Sequence, residues 1–346
     1  TITDAPTANA GPDQTVCANN AVVTLSGSFT IATGGIWSSS GTGFFSPNNI
    51  TMGATYTPSP ADTLAGSVTI VLTTTGNGLC NAVTDTMLII ITNTPSVNAG
   101  ANTVACKNNP NVPLNGTSST GTGIWTIVSG GGSFSPSNTT LNATYMAALP
   151  ADTTAGTLIL VLTSTGNGNC LAEDDTITIT YIDKPIVNAG PDLTVCTNNP
   201  NFAISGTSNT GSGIWSTVST GTFTPSASLL STNYAPSAAD LAAGTITLYL
   251  TSTANGTCLP VQDTMIVTIS AAPTANAGVD QTVCANNAVV TLSGSFTVST
   301  GAGWTSLGSG TFSPDTFSMI VTYTPSALDT AAGTVTIVLT TTGNGN

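Results

Sequence analysis

The feature that most constrains this chain is that it repeats itself. "NAGPDQTVCANN" at 9–20 returns as "NAGANTVACKNN" at 98–109, "NAGPDLTVCTNN" at 188–199 and "NAGVDQTVCANN" at 276–287. Trp37, Trp125, Trp215 and Trp304 follow in phase, at steps of 88, 90 and 89 residues. Pro6, Pro95, Pro185 and Pro273 keep the same step. A fixed period of this length means a tandem array in which each copy is one folding unit. The units read as repeat 1 over 5–93, repeat 2 over 94–183, repeat 3 over 184–271 and repeat 4 over 272–346. Residues 1–4 align with the end of a preceding repeat, and repeat 4 stops before its last strand. The sequence therefore reads as a window on a longer array.

Within a repeat the pattern is that of short strands. In the first, "VVTLSG" at 22–27 puts Val23 and Leu25 on one face, and "SVTIVLTTT" at 67–75 does the same with Val68, Ile70 and Leu72. "GIWSS" at 35–39, "ATYTPS" at 54–59 and "DTMLIIIT" at 85–92 complete the set. Period-two alternation broken by Gly, Pro and Asn predicts an antiparallel β-sandwich of the immunoglobulin type, about seven strands per repeat. No stretch carries sustained helical periodicity. The Trp of each repeat is expected to anchor its core. One Pro in each short linker stiffens the passage between repeats. Beads in an elongated rod follow, each roughly 40 Å long at the rise of a strand.

Composition excludes several functions. The 346 residues contain no His, two Lys (Lys107 and Lys184) and no Arg, with a formal charge of −13. Nucleic-acid backbones need cations that this chain lacks, and no apolar run reaches the roughly 20 residues of a membrane helix. Without His the usual catalytic base and the hydrolase triads have no basis, so the chain is not read as an enzyme. No cofactor is expected. The one acidic cluster, Glu173, Asp174 and Asp175, reads as a solvated loop, with a calcium site as the sharper alternative. Asp13, Asp192 and Asp280, with Asn102 in the second repeat, read as turn residues. Asn49, Asn115, Asn138, Asn142 and Asn255 fall in N-x-S/T sequons.

The cysteines come as one early and one late per repeat. Cys17 and Cys80, Cys106 and Cys170, and Cys196 and Cys258 keep nearly constant spacing. Neither C-x-x-C nor His is present to suggest zinc. Three disulfides, each within one bead, are the expectation, closing loops that stabilise by about 4 kcal/mol each in the chain-entropy model. Cys284 would find its partner beyond Asn346. Disulfides place the chain in an oxidising compartment, outside the cell or on its surface.

The start of each repeat, "NAGPDQTVC" followed by "VTLSGS", resembles PKD-like domains. "GIWSSSGTGFFSP" stands where those domains carry a W-D-F-G-D-G run. With "GIW", "FSP", "ATYTPS" and "TTTGNGxC", the whole repeat resembles those of giant secreted surface adhesins of Bacteroidetes, of the SprB gliding-motility type. That resemblance covers all 346 residues. It implies type IX secretion and a stalk or adhesive role at the cell surface. It also implies O-glycosylation at D-T-hydrophobic tripeptides, matched here by Thr63, Thr153 and Thr330. The expected partners are neighbouring repeats of the same chain, with surface polysaccharide or lateral copies beyond them. An array of glycan-binding modules is the alternative function.

Overall fold

The computed structural model describes residues 2–343, and "TTTGNGN" runs past its end at Asn344–Asn346. The chain divides at Asp183/Lys184 into two compact units, each holding two repeats. Every repeat has its own apolar core.

Repeat 1 shows the plan. Its strands are β1 (Thr7–Asn9), β2 (Gln14–Cys17), β3 (Val23–Thr24), β4 (Ser28–Thr30), β5 (Gly34–Ser39), β6 (Phe44–Ser46), β7 (Thr55–Thr57), β8 (Ser67–Thr75) and β9 (Thr84–Thr92). One sheet has the order β2-β9-β8-β5, the facing sheet β3-β7-β6, and β1 pairs with β4 at the margin. The long strands alternate cleanly between core and surface. Val68, Ile70 and Leu72 of β8 and Met87, Ile89 and Ile91 of β9 are all buried. Repeats 2 and 3 reproduce both sheets.

Two features differ from the antiparallel, helix-free sandwich that alternation predicts. The first is that β2 runs parallel to β9, with Gln14 opposite Ile89 and Cys17 opposite Thr92. The same parallel ladder recurs in repeats 2 and 3. The chain enters a bead at one end and leaves at the other, so its first and last long-sheet strands point the same way. A side chain holds this register. Asp13 Oδ1 accepts the Leu88 N–H at 2.8 Å, as Asn102 Oδ1 does for Thr178 and Asp192 Oδ1 for Ile266. Asn serves as well as Asp because only an acceptor oxygen is required.

The second is a helix of one to two turns, α1 (Pro60–Ala65), between β7 and β8. Ser59 and Asp62 form a reciprocal capping box, and Gly66 closes the helix at φ 77°. Repeats 3 and 4 use Ser237 with Asp240 and Ser326 with Asp329 in the same way. The S-x-x-D…G signature was present in the sequence but too short to show a helical period.

Trp37, Trp125, Trp215 and Trp304 are at most 2% exposed. Each indole N–H donates to a carbonyl of the facing loop, at Thr51, Leu141, Leu230 and Ser318, over 3.0–3.2 Å. The glycine of each "SG" or "NG" word before strand β4 or its counterpart lies against the ring. A Cβ on Gly27, Gly116, Gly206 or Gly294 would collide with the indole or with a neighbouring Leu.

Candidate functional site

The residues that chemistry could use gather at two places, a buried carboxylate latch in each bead and the junction between consecutive beads. The latch lies under α1. Asp62 accepts the N–H groups of Thr42, Gly43 and Ser59 at 2.8–3.0 Å and the Tyr56 hydroxyl at 2.9 Å. Tyr145 with Asp152, Tyr234 with Asp240 and Tyr323 with Asp329 repeat it, at 2.7, 3.1 and 2.8 Å. Burial pushes the hydroxyls of Tyr56, Tyr145 and Tyr234 up, Tyr234 to about 12. For Asp62 and Asp240 burial works to raise the pKa, but the donated backbone N–H groups outweigh it and hold both below the usual carboxylate range. The N–H groups of Ser309 and Ser326 bring Asp329 to about 2.

This latch explains the D-T-hydrophobic words at 62–64, 152–154 and 329–331. The Asp is the latch and the Thr is a helical residue. Thr63 and Thr330 are half-buried and donate their hydroxyls to Ser59 O and Ser326 O; Thr153 is buried and donates to Pro150 O. The segment is a helix rather than an open loop. Leu241 fits the third copy because the Thr hydroxyl is dispensable there while Asp240 is retained.

Two predictions arise here. Asp62→Asn keeps the shape but turns an amide towards N–H donors, and is expected to destabilise repeat 1 by about 2–3 kcal/mol; a urea titration measures it. The second concerns pH. The unfolded carboxylates titrate near 3.9, and Asp62, Asp240 and Asp329 titrate lower when folded. Between these values the unfolded chain binds more protons. The contribution is therefore complete above about pH 4 and is lost as pH falls through the folded values. Urea midpoints measured from pH 7 to pH 2 should stay level to about pH 4.5 and then drop; a level profile down to pH 2 contradicts the latch.

The acidic residues of 173–175 face different surroundings. Asp175 Oδ2 accepts the Ala99 N–H at 2.8 Å, as Asp85 and Asp263 do for Ala10 and Ala189. Glu173 accepts from Asn19. Asp174 points to solvent. Among the described residues no three metal-ligating side chains converge. Three of the five sequon amides are hydrogen-bonded: Asn49 and Asn138 donate to Trp37 O and Trp125 O, and Asn255 donates to Ser252 O.

The junction is where the cysteines correct the sequence reading. Cys17 bonds Cys170 of the next repeat, with Cα atoms 4.9 Å apart, so neither Cys17–Cys80 nor Cys106–Cys170 forms. Cys106 and Cys258 are each disulfide-bonded too, and Cys196 Sγ lies 3.3 Å from Ser270 Oγ. The parallel strand is the reason. Cys17 ends β2 beside Thr92, at the exit end of the bead. Cys80 precedes β9, at the entry end. The nine residues of β9 separate the two by about 25 Å at the rise of a strand, whereas a disulfide needs Cα atoms within about 7 Å. In the first unit the exit-end cysteine, Cys17, therefore meets the entry-end cysteine of the bead that follows.

Amide side chains complete the junction. The "CANN" turn is closed by the Asn20 N–H on Cys17 O at 2.8 Å. From it Asn19 accepts the Leu171 N–H at 3.1 Å and donates to Leu171 O at 3.2 Å and Glu173 Oε1 at 2.9 Å. Asn20 donates to Asn169 O at 3.3 Å, and Asn169 donates back to Thr15 O at 2.6 Å. The receiving loop, "GNGNC" at 166–170, is shaped by Gly166 and Gly168 at φ 68° and 59° and by Asn167, whose amide donates to Ser164 O. Asn19 thus pairs with the partner loop as a strand backbone would, using both ends of one amide.

No family model matches the sequence, and no curated protein does. Several tandem-domain structures are similar at low identity. A three-immunoglobulin-domain fragment of titin is 10% identical with a TM-score of 0.38, covering 78% of this chain and 99% of that one. Extracellular cadherin domains 3–6 of protocadherin gamma B2 are 13% identical with a TM-score of 0.29, covering 92% and 91%. The human desmocollin-1 ectodomain is 11% identical with a TM-score of 0.27, covering 99% and 80%. All three scores are low, and the assignment of the sandwich rests on the strand order and registers above.

Proposed function

We propose that this chain is the structural repeat region of a long secreted cell-surface adhesin or extracellular filament, a disulfide-stitched stalk serving attachment or gliding. The observation that carries this reading is the junction in which Cys17 and Cys170 join consecutive beads. Bonds of this kind form and persist in oxidising compartments and are rare in the cytosol. Its design also favours a structural role. The four Trp rings are enclosed in the cores and offer no stacking face to a ligand. The polar side chains with the most specific contacts, Asn19, Asn20 and Asn169, are spent on joining bead to bead. Among the described residues no helix is long and apolar enough to cross a membrane.

The test uses native protein on intact source cells. Cells are treated with a membrane-impermeant alkylating reagent, then shaved with protease, and the released peptides are mapped without reduction. The expected result is release of repeat peptides from intact cells with the Cys17–Cys170 link present. Recovery only after lysis, with Cys17 and Cys170 as thiols, overturns the reading.

A further inference from the structure

The linker between repeats 1 and 2 runs from the end of β9 at Thr92 to the next strand, Val97–Asn98, and its Asn93, Thr94 and Ser96 are exposed. Exposed polar segments are where endopeptidases nick a folded chain. In an ordinary array of beads a cut there parts one bead from the next, because each has its own core. Here the disulfide runs beside the linker. Both sulfurs lie against Asn93 O, Cys17 Sγ at 3.6 Å and Cys170 Sγ at 3.5 Å. Cys17 precedes the linker and Cys170 follows it, so the bond is a second covalent connection between the same two beads.

We propose that the Cys17–Cys170 bond is a bypass for linker cleavage. It keeps repeats 1 and 2 in one covalent piece, and seated on each other, after an endopeptidase has cut the chain between them. The seat survives because it does not use the linker. Asn19 holds Leu171 and Glu173, Asn20 holds Asn169 O, and Asn169 holds Thr15 O. Neither core loses a strand, since β9 ends before the linker and Val97 begins after it. The same bond spans Lys107, which together with Lys184 makes up the basic residues of the chain. Lys184 is followed by Pro185, whose ring supplies no N–H and a fixed φ at the bond that a lysine-directed peptidase would have to cut. Such a peptidase is left with a cut inside the span. The inference rests on the course of the bond and is independent of where the protein resides.

Hydrolysis consumes one water per peptide bond cut and leaves a carboxylate on one new end and an amine on the other. Between Asn93 and Thr94 both ends form at exposed residues, so neither charge has to be buried. No thiol takes part, and the disulfide is unchanged.

The test uses the absence of Arg from the chain. Asn93→Arg gives an arginine-specific endopeptidase one place to cut in the 346-residue chain. The other bonded cysteines, Cys106 and Cys258, both lie beyond that cut. The expected result after digestion is one band on a non-reducing gel and two fragments, 1–93 and 94–346, once reductant is added. The cut, unreduced protein should elute from a sizing column with the uncut protein. Adding Cys170→Ser should release fragment 1–93 from the same cut without reductant. Release of that fragment from Asn93→Arg alone without reductant overturns the proposal. So does earlier elution of the cut protein, which would mean that the beads have left their seat. A linker that stays uncut at a high peptidase ratio overturns it too, since the bond would then have no break to span.

Discussion

Trp125→Ala is expected to destabilise repeat 2 by about 3–5 kcal/mol, the range for deleting a large buried aromatic. The ring is 1% exposed and stacks on Phe134 with centroids 6.3 Å apart. Gly116 and Leu162 lie against its six-membered edge, so the vacated space is bounded by side chains already packed on other partners. The substitution also removes the indole N–H that satisfies Leu141 O. A domain of this size is stable by only about 5–15 kcal/mol, so the loss takes much of the margin. Denaturant unfolding followed by amide hydrogen exchange, which reports each repeat separately, should show repeat 2 melting first. Trp125→Phe, which keeps apolar volume and loses the hydrogen bond, should fall between the variant and the parent. A midpoint unchanged by Trp125→Ala would mean that the ring is open to solvent.

The second large effect belongs to the junction. The Cys17–Cys170 link spans 153 residues, and a loop of that length restricts the unfolded chain by about 5 kcal/mol in the entropy model. Cys170→Ser is expected to lower the stability of the first compact unit by several kcal/mol, approaching that figure. It should also split one transition into two, because the bond couples the unfolding of repeats 1 and 2. Calorimetry of the oxidised and reduced protein gives the same comparison without mutation. Non-reducing peptide mapping of the native protein checks the Cys17–Cys170 link directly. A single transition with an unchanged midpoint in Cys170→Ser would leave the bond without energetic weight.

How far the sequence carried this reading differs from element to element. Alternation in 67–75 and 85–92 locates the long strands almost to the residue, because one face is buried and the period is strict. The phase of the Trp residues locates the cores. The helix at 60–65 escaped because its six residues are stabilised by a cap and a buried Asp rather than by an apolar stripe. The pairing of cysteines escaped for a topological reason. Equal spacing of Cys17 and Cys80 within each bead says nothing about which end of the sandwich each occupies, and that is decided by the parallel run of β2 along β9. Asp13 and Asn102 hint at it, since both sit just before that strand, but their partners on the last strand are visible only in three dimensions.

The disulfide also fixes how the first unit responds to being pulled. Tension applied near its two ends enters along β1 and β2, crosses from Cys17 to Cys170, and leaves along the last strand of repeat 2, Asp174–Ile182. The residues between the two cysteines, which are 153 positions apart in sequence, are off the load path. They include most of both cores, and at about 3.4 Å per residue they represent roughly 500 Å of extension that cannot be drawn out. Under load the unit behaves as a short covalent tether with folded sandwiches hung beside it. Reduction of one bond would convert that tether into a chain able to lengthen many-fold.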